Sequence, residues 1–398
     1  MTRVHLRWLA IGIFLFASML NYLDRSLMAA LAPTLKTNFH LDNFQYGKII
    51  SAFSLAYAFT APLAGLFIDK VGLNIGAVIA VAAFSCTGAL TGLAGSFRSL
   101  LGIRTAFGIS AAAGLPLFGK ANAMYLEPSE RAFGTAMNQV GISLGSTLAP
   151  LIVALMTPLY GWQSSFVLSG ALGLIWIPAW IFCSRKIPAN VIAPAAPGDA
   201  SLSELLRDRR VWGLAFATVF IMSLYTLWTN WTTIYFVQDW HMTAEEANAR
   251  FAWMPHIFGV MGGFFGGWLA FRAIRSGSGA IAARLKVSWL SAALLLVTAA
   301  IPLMPTRGLA AAAVSMSFFW SVCISANLYA LPIDLFGPRR AAFGVAVLTF
   351  AYGLMQAFFS LGIGSMVDHF GFKAVCVGMS FLPLIGVGIL QLTANLEP

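Results

Sequence analysis

Apolar residues run in stretches of about 18 or more along nearly the whole chain, parted by short polar or glycine-bearing connections. A stretch of that length crosses a hydrocarbon core of about 30 Å as a helix. The pattern predicts spans over 8–31, 45–67, 74–95, 99–125, 133–157, 164–183, 211–236, 248–271, 282–303, 308–332, 341–366 and 373–393. Short links require antiparallel neighbours. One link is longer: residues 184–210 hold Arg185-Lys186, a Pro/Ala-rich run from Ile187 to Pro197, and Ser201-Leu-Ser-Glu204. That last segment reads as a capping box opening a short amphipathic helix. We place a cytoplasmic linker at 184–210, between an N-terminal six-helix bundle, 1–183, and a C-terminal one, 211–398.

Composition agrees with this reading. The chain has 398 residues, 59% hydrophobic and 10% charged, with a mean hydropathy of +0.81; soluble domains carry about 25% charged residues. Arg3, His5 and Arg7 precede the first span as they would a signal peptide. That span continues past Leu20 without a small-residue cleavage site and contains Asp24 and Arg25, so it reads as retained. Cys86, Cys183, Cys323 and Cys376 are scattered singly, which excludes a disulfide framework or cysteine metal site.

The net charge of +10 changes meaning once it is placed on the spans. Arg3, Arg7, Lys70, Arg131, Arg185, Lys186, Arg207, Arg209, Arg210, Arg272, Arg275, Arg284, Lys286, Arg339 and Arg340 fall on or near one side. Lys36, Lys48, Arg98, Arg250, Arg307 and Lys373 fall on the other, a bias of about fifteen to six. By the positive-inside rule both termini are cytoplasmic, in an inner (plasma) membrane. The basic excess is a topology signal rather than a nucleic-acid surface.

The halves repeat. Pro128-Ser-Glu-Arg131-Ala-Phe-Gly134 returns 210 positions later as Pro338-Arg-Arg-Ala341-Ala-Phe-Gly344, and Gly161-Trp162 returns as Gly371-Phe372 at the same offset. Gly65-Leu-Phe-Ile-Asp69 returns 202 positions later as Gly267-Trp-Leu-Ala-Phe271. Parallel six-helix repeats are the pattern of transporters that bind substrate between two halves at mid-membrane.

These residues resemble the major facilitator superfamily. Gly65-Leu-Phe-Ile-Asp69-Lys70-Val-Gly72 resembles its loop motif between helices two and three, and Arg104-Thr-Ala-Phe-Gly108 its fourth-helix motif. Asn21-Tyr-Leu-Asp24-Arg25-Ser with Ala30-Leu-Ala-Pro33 resembles the anion:cation symporter branch, which holds hexuronate, aldonate, glucarate and sialic acid carriers. So do Pro116-Leu-Phe-Gly-Lys120, Glu130-Arg131, and Gly141-Ile-Ser-Leu-Gly145 through Ala149-Pro150. The resemblance implies an all-α integral membrane protein of twelve helices, a monomer working by alternating access. Two departures stand out: Ala111 replaces the branch's fourth-helix glutamate, and Phe271 takes the place of an acidic residue in the second loop motif. The second departure leaves the cytoplasmic gate to Asp69 with Lys70.

Ionisable side chains inside a bilayer each need an explanation. Asp24 and Arg25 lie about 16 residues into the first span, roughly 24 Å along its axis. Arg104 enters the fourth span from the same side, so Asp24 can pair with it or take a proton when the pair loosens. Arg25 offers a planar two-donor fork suited to a substrate carboxylate. The competing readings are a structural Asp24–Arg104 pair, and an Arg25 that only neutralises Asp24. With Asp24 the one acid well inside a span, we expect one proton per monoanion. Lys120, near the end of the fourth span, reads as reaching the headgroups, and His256 as a neutral packing residue.

A polar-anion pocket also needs neutral hydrogen-bonding and aromatic groups. Candidates are Tyr57, Asn138, Gln139, Tyr225, Trp228, Asn230, Asn327, Tyr352 and Gln356. Gly259, Gly262, Gly263, Gly266 and Gly267, and Gly141 with Gly145, read as close helix contacts. There is no nucleotide-binding signature and no metal-ligand cluster, so no cofactor is expected. The sequence leads to a proton-coupled symporter of a small organic anion, a hexuronate or aldonate class of sugar acid. A lactate- or pyruvate-like monocarboxylate carrier and a proton-driven drug exporter are the alternatives; no feature points to an enzyme.

Overall fold

The computed structural model describes residues 3–127, 130–186, 207–337 and 341–395. Helix is the only regular structure among them. The proposed amphipathic helix at Ser201 lies outside the described residues, as does much of the Pro128 and Pro338 repeat pair. Among the described residues, eleven helical stretches are long and apolar enough to cross a membrane. The last, Gly344–Ala394, contains the eleventh and twelfth expected spans, joined at Gly371.

In chain order the helices are α1 (Arg3–Ala30), α2 (Ala32–Phe39), α3 (Asn43–Val71), α4 (Leu73–Thr91), α5 (Phe97–Ala111) and α6 (Gly114–Tyr125). Then follow α7 (Arg131–Tyr160), α8 (Gln163–Ser184), α9 (Arg209–Ile221), α10 (Ser223–Trp240) and α11 (Ala244–Ala247). A π-helical turn, Asn248–Ala252, leads into α12 (Met254–Arg275), and α13 (Ala280–Leu294) runs on as 3₁₀ helix over Leu295–Leu303. Last come α14 (Arg307–Phe336), α15 (Ala341–Ser380) and α16 (Leu382–Ala394).

The fourth span is one helical stretch, Phe97–Tyr125, whose regular hydrogen bonding lapses between Ala111 and Gly114. Pro116 supplies the cause. It has no N–H for the Ala112 carbonyl and its ring crowds that carbonyl, so regular helix fails just ahead of it.

The repeat reappears in the backbone. Gly161 (φ +79°, ψ 162°) and Gly371 (φ +72°, ψ 175°) adopt one conformation 210 positions apart. That region of φ/ψ space is essentially open to glycine alone. The next residues, Trp162 and Phe372, are both buried. His40 and His241 are likewise matched, each closing a helix in the left-handed conformation at φ +51°.

The chain divides into two compact units. The first comprises Met1–Leu41, Lys48–Ala196 and Met242–Trp253; the second comprises Asp42–Gly47, Pro197–His241 and Met254–Pro398. In the first unit α1 lies along α7, and α4 along α8. A Cβ at Gly145 would overlap the Met19 carbonyl oxygen, so glycine is what lets α7 reach α1. In the second unit α12 lies along α14, and α9 along α16. There a Cβ at Gly262 would overlap the Phe319 carbonyl, and one at Gly266 would press on Cys323. Gly267 meets nothing, so the close-contact stripe of α12 is narrower than its glycines suggest.

Candidate functional site

Neighbouring residues on a helix point about 100° apart, so Asp24 and Arg25 cannot face the same way. Asp24 turns into the first unit and is buried. Its Oδ1 accepts from Arg104 Nη1 at 2.8 Å, an ion pair in which both side chains are almost wholly enclosed. Ser169 of α8 lies beside the carboxylate. The other oxygen lies against Gly88 of α4, where a Cβ would overlap it. Four helices therefore enclose this one carboxylate. Among the described residues it is the only buried acid.

Arg25 turns to an aromatic enclosure. Its guanidinium carbon lies 4.7 Å from the Tyr22 ring centroid, 4.9 Å from Phe53 and 4.8 Å from Tyr57. Tyr22 is one turn back on α1, and Phe53 and Tyr57 are one turn apart on α3. Arg104 also stands over Phe53, at 5.6 Å, and over Phe107 at 4.3 Å and Phe166 at 5.9 Å. The Phe53 ring is thus shared by both guanidinium groups. Its electron-rich face attracts each cation, which offsets part of their mutual repulsion.

One turn before Asp24, Asn21 Nδ2 donates to the Ala111 carbonyl at 3.3 Å. The lapse in the fourth span removes that carbonyl from the regular ladder, and Asn21 supplies a donor. Ala111, where the resembling branch carries glutamate, therefore sits beside the Asp24 site.

Asn138 is buried on α7 with no protein partner for its Oδ1, while Gln139 is exposed. Of the two gate candidates, Asp69 has an ion-pair partner. Lys120 Nζ reaches Asp69 Oδ1 at 2.8 Å and the Ile68 carbonyl at 2.9 Å, and Lys70 is exposed. Lys120 is therefore a strut from α6 to the end of α3, not a side chain extended to headgroups. Beyond it, Arg7 pairs with Glu127 at 3.1 Å.

The second unit holds a different set. Tyr225 stacks on Phe318 at 5.1 Å and meets the Tyr352 ring edgewise at 6.0 Å. His256 lies 5.5 Å from the same Phe318. Asn230 Nδ2 caps the Thr226 carbonyl at 3.0 Å, and Gln356 is buried. Two candidates are enclosed within their own unit. Trp228 is fully enclosed, its N–H donated to Ser317 Oγ at 2.9 Å, and Ser317 in turn shares a 2.7 Å bond with Thr298. Asn327 is fully buried, donating to the Gly266 and Cys323 carbonyls, with its Oδ1 lacking a protein partner. A helical aromatic stripe cannot reveal in advance which ring faces its own bundle.

Sequence reasoning missed Tyr22, Phe53, Gly88 and Ser169. Tyr22, Phe53 and Tyr57 carried a signal, since they stand at i−3 from Arg25 and at i, i+4 on α3. Gly88 and Ser169 carried none.

The family model of the Major Facilitator Superfamily matches residues 14–360. The hexuronate transporter of Escherichia coli (strain K12) is 28% identical, covering 99% of this chain and 95% of that protein. The galacturonate transporter of Dickeya chrysanthemi is 31% identical over 66% of this chain and 81% of its own length. Among solved structures, a bacterial homologue of the human lysosomal transporter Spinster, inward-facing and unoccupied, superposes with a TM-score of 0.85. It covers 98% of this chain and 97% of that one at 18% identity, a likeness of fold.

Proposed function

The chain belongs to the Major Facilitator Superfamily and is a multi-pass membrane transporter, and from that premise we propose that it imports a sugar acid with a proton. The observation that carries the reading is the division of labour on α1. Asp24 is buried against Arg104, while the adjacent Arg25 stands among three aromatic rings.

A buried ion pair is stable only while both charges are present, and losing one leaves the other uncompensated. Arginine stays charged at any working pH, so the proton goes to Asp24. Protonation releases Arg104, and alternating access carries the neutralised carboxylic acid across with the bound anion. Arg25 receives the substrate carboxylate as a two-donor fork, with Tyr57 beside it. The substrate's hydroxyls are assigned to the neutral candidates Asn138, Gln139, Tyr225, Asn230, Tyr352 and Gln356. The Lys120–Asp69 strut belongs to the gate. With one buried acid among the described residues, the symport is one proton per monoanion and electroneutral.

The names of the relatives, hexuronate and galacturonate transporters, support a six-carbon sugar acid as the cargo. A cation exporter is disfavoured by an arginine beside the coupling acid. The charge bias of the connections supports cytoplasmic termini in the inner membrane, and the repeat supports two six-helix halves around the 184–210 linker.

The test is uptake of radiolabelled glucuronate or galacturonate into proteoliposomes. An inside-alkaline pH gradient is expected to drive accumulation, with no response to an imposed potassium–valinomycin potential. Uptake indifferent to pH, or stabilisation of the purified protein by hydrophobic cations but by no carboxylate, would overturn the proposal.

A further inference from the structure

The two matched helix ends, 202 positions apart, manage their charge in opposite ways. In the first unit α3 ends in Asp69-Lys70, and the acid is held by Lys120. In the second unit the matched positions, in the last turns of α12, are Phe271-Arg272, and neither is acidic. The ion-paired acids of this unit are Asp334, which holds Arg284, and Asp208, which holds Arg210. Arg272, Arg275 and Lys286 therefore have no carboxylate within ion-pair reach among the described residues, and all three are exposed. Lys286 folds back across the α12–α13 connection, its Nζ 3.3 Å from Ser278 Oγ, which brings it to the same end as the two arginines.

The arginines are ordered nonetheless. Arg272 stands 5.6 Å from the centroid of the Trp268 ring, and Arg275 stands 5.6 Å from that of Phe271. Each is one turn beyond its ring, so both lie along the exposed face of α12. That face carries Met261, Phe264, Trp268 and Phe271, all more than two-fifths exposed. An apolar and aromatic face that ends in a cluster of uncompensated cations matches a lipid: acyl chains along the helix, a phosphate at its end.

We propose that the end of α12 and start of α13 form a binding site for an anionic phospholipid. Arg272, Arg275 and Lys286 hold the headgroup phosphate, and Trp268 and Phe271 lie beside its acyl chains. Guanidinium groups bind phosphate oxygens through paired donors, and the ring beneath each one limits its freedom before the lipid arrives. A free phosphate would use the cations alone and leave the aromatic face without a role. At the corresponding end of the first unit Asp69 neutralises Lys120, and the exposed Lys70 is a lone cation rather than a cluster of three.

The experiment is native mass spectrometry of the full chain exchanged into mixed micelles of phosphatidylglycerol and phosphatidylcholine. Melting is measured in nanodiscs of each lipid. Wild type is expected to retain phosphatidylglycerol preferentially and to melt higher in it. Arg272→Gln with Arg275→Gln should cut retention by at least tenfold, since a membrane-facing cation contributes roughly fivefold. Arg272→Lys with Arg275→Lys should restore most of it, which separates loss of charge from loss of fold. Lys70→Gln, at the matched end of the first unit, should leave retention unchanged. Glycerol phosphate at equal concentration should not compete. Equal retention of both lipids by wild type, undiminished retention by the double glutamine variant, or full competition by glycerol phosphate would each overturn the site.

Discussion

The two units share a repeat and a helix packing scheme, yet they stabilise their buried polar groups differently. The first encloses charge: Asp24, Arg104 and the half-buried Arg25, steadied by one ion pair and a shared phenyl ring. The second encloses neutral groups. Trp228, Ser317 and Thr298 form a chain of hydrogen bonds, and Ser291 bonds to Cys323. Neutral donors and acceptors that satisfy one another hold their state at every pH. A buried ion pair has two states, and a single proton selects between them. The comparison assigns switching to the first unit and constancy to the second.

Breaking the ion pair should have the largest effect. Asp24→Asn is expected to abolish pH-driven accumulation, by a factor of about a hundred or more, while exchange of substrate across the membrane persists in counterflow. Arg104→Gln alone should also destabilise the protein, by about 3–5 kcal/mol, because it leaves a buried carboxylate unpaired. The Asp24→Asn, Arg104→Gln double variant should regain most of that stability without regaining coupling. A double variant that still accumulates substrate against its gradient would remove the pair from the mechanism.

Arg25→Ala comes next. Losing a charge-assisted hydrogen bond costs about 1.5–3 kcal/mol, so KM for the sugar acid should rise roughly 10- to 100-fold with the pH dependence intact. Arg25→Lys should recover only part, for want of the two-donor fork. An equal fall in maximal rate and pH response would instead assign Arg25 to Asp24.

Gly88→Ala should fall between the units' behaviours. Its Cβ overlaps a carboxylate oxygen, and overpacking of this kind costs about 1–3 kcal/mol. The expected readout is a shifted pH profile of uptake with KM held within about twofold. The smallest functional effect is expected in the second unit. Ser317→Ala strands the Trp228 N–H and the Thr298 hydroxyl, lowering stability by about 1–3 kcal/mol, measured by thermal unfolding. Uptake and its pH profile should stay close to wild type. A changed pH profile there would erase the contrast between the units.

Much of the architecture was legible because a membrane leaves few choices. Every backbone polar group must be satisfied inside the segment, so an apolar stretch of sufficient length has to be helix. Gly161 and Gly371 announced the repeat for an equally physical reason, a backbone conformation closed to other residues. The lapse before Pro116 was readable in principle from the missing N–H, and was missed because hydropathy is blind to it. Lys120 was misplaced because its depth in the span fits a side chain reaching for headgroups as well as one reaching Asp69. The burial of Trp228 was not legible, because helical spacing gives the direction of a ring only relative to its own helix.

The sequence by itself determined that Asp24 and Arg25 occupy one apolar span, that Arg104 enters another at similar depth, and that Ala111 leaves no second acid beside them. It also determined that the two charges on α1 point apart, since consecutive helical residues must. Only the tertiary structure decided which direction each one took. Asp24 faces Arg104, Ser169 and Gly88, from three helices the periodicity of α1 cannot order. Arg25 faces a ring of its own helix and two of α3. Periodicity is a property of one helix, whereas a partner is set by how several helices rotate and slide until their small residues meet. In this chain, glycines whose Cβ would strike a neighbouring helix make that choice.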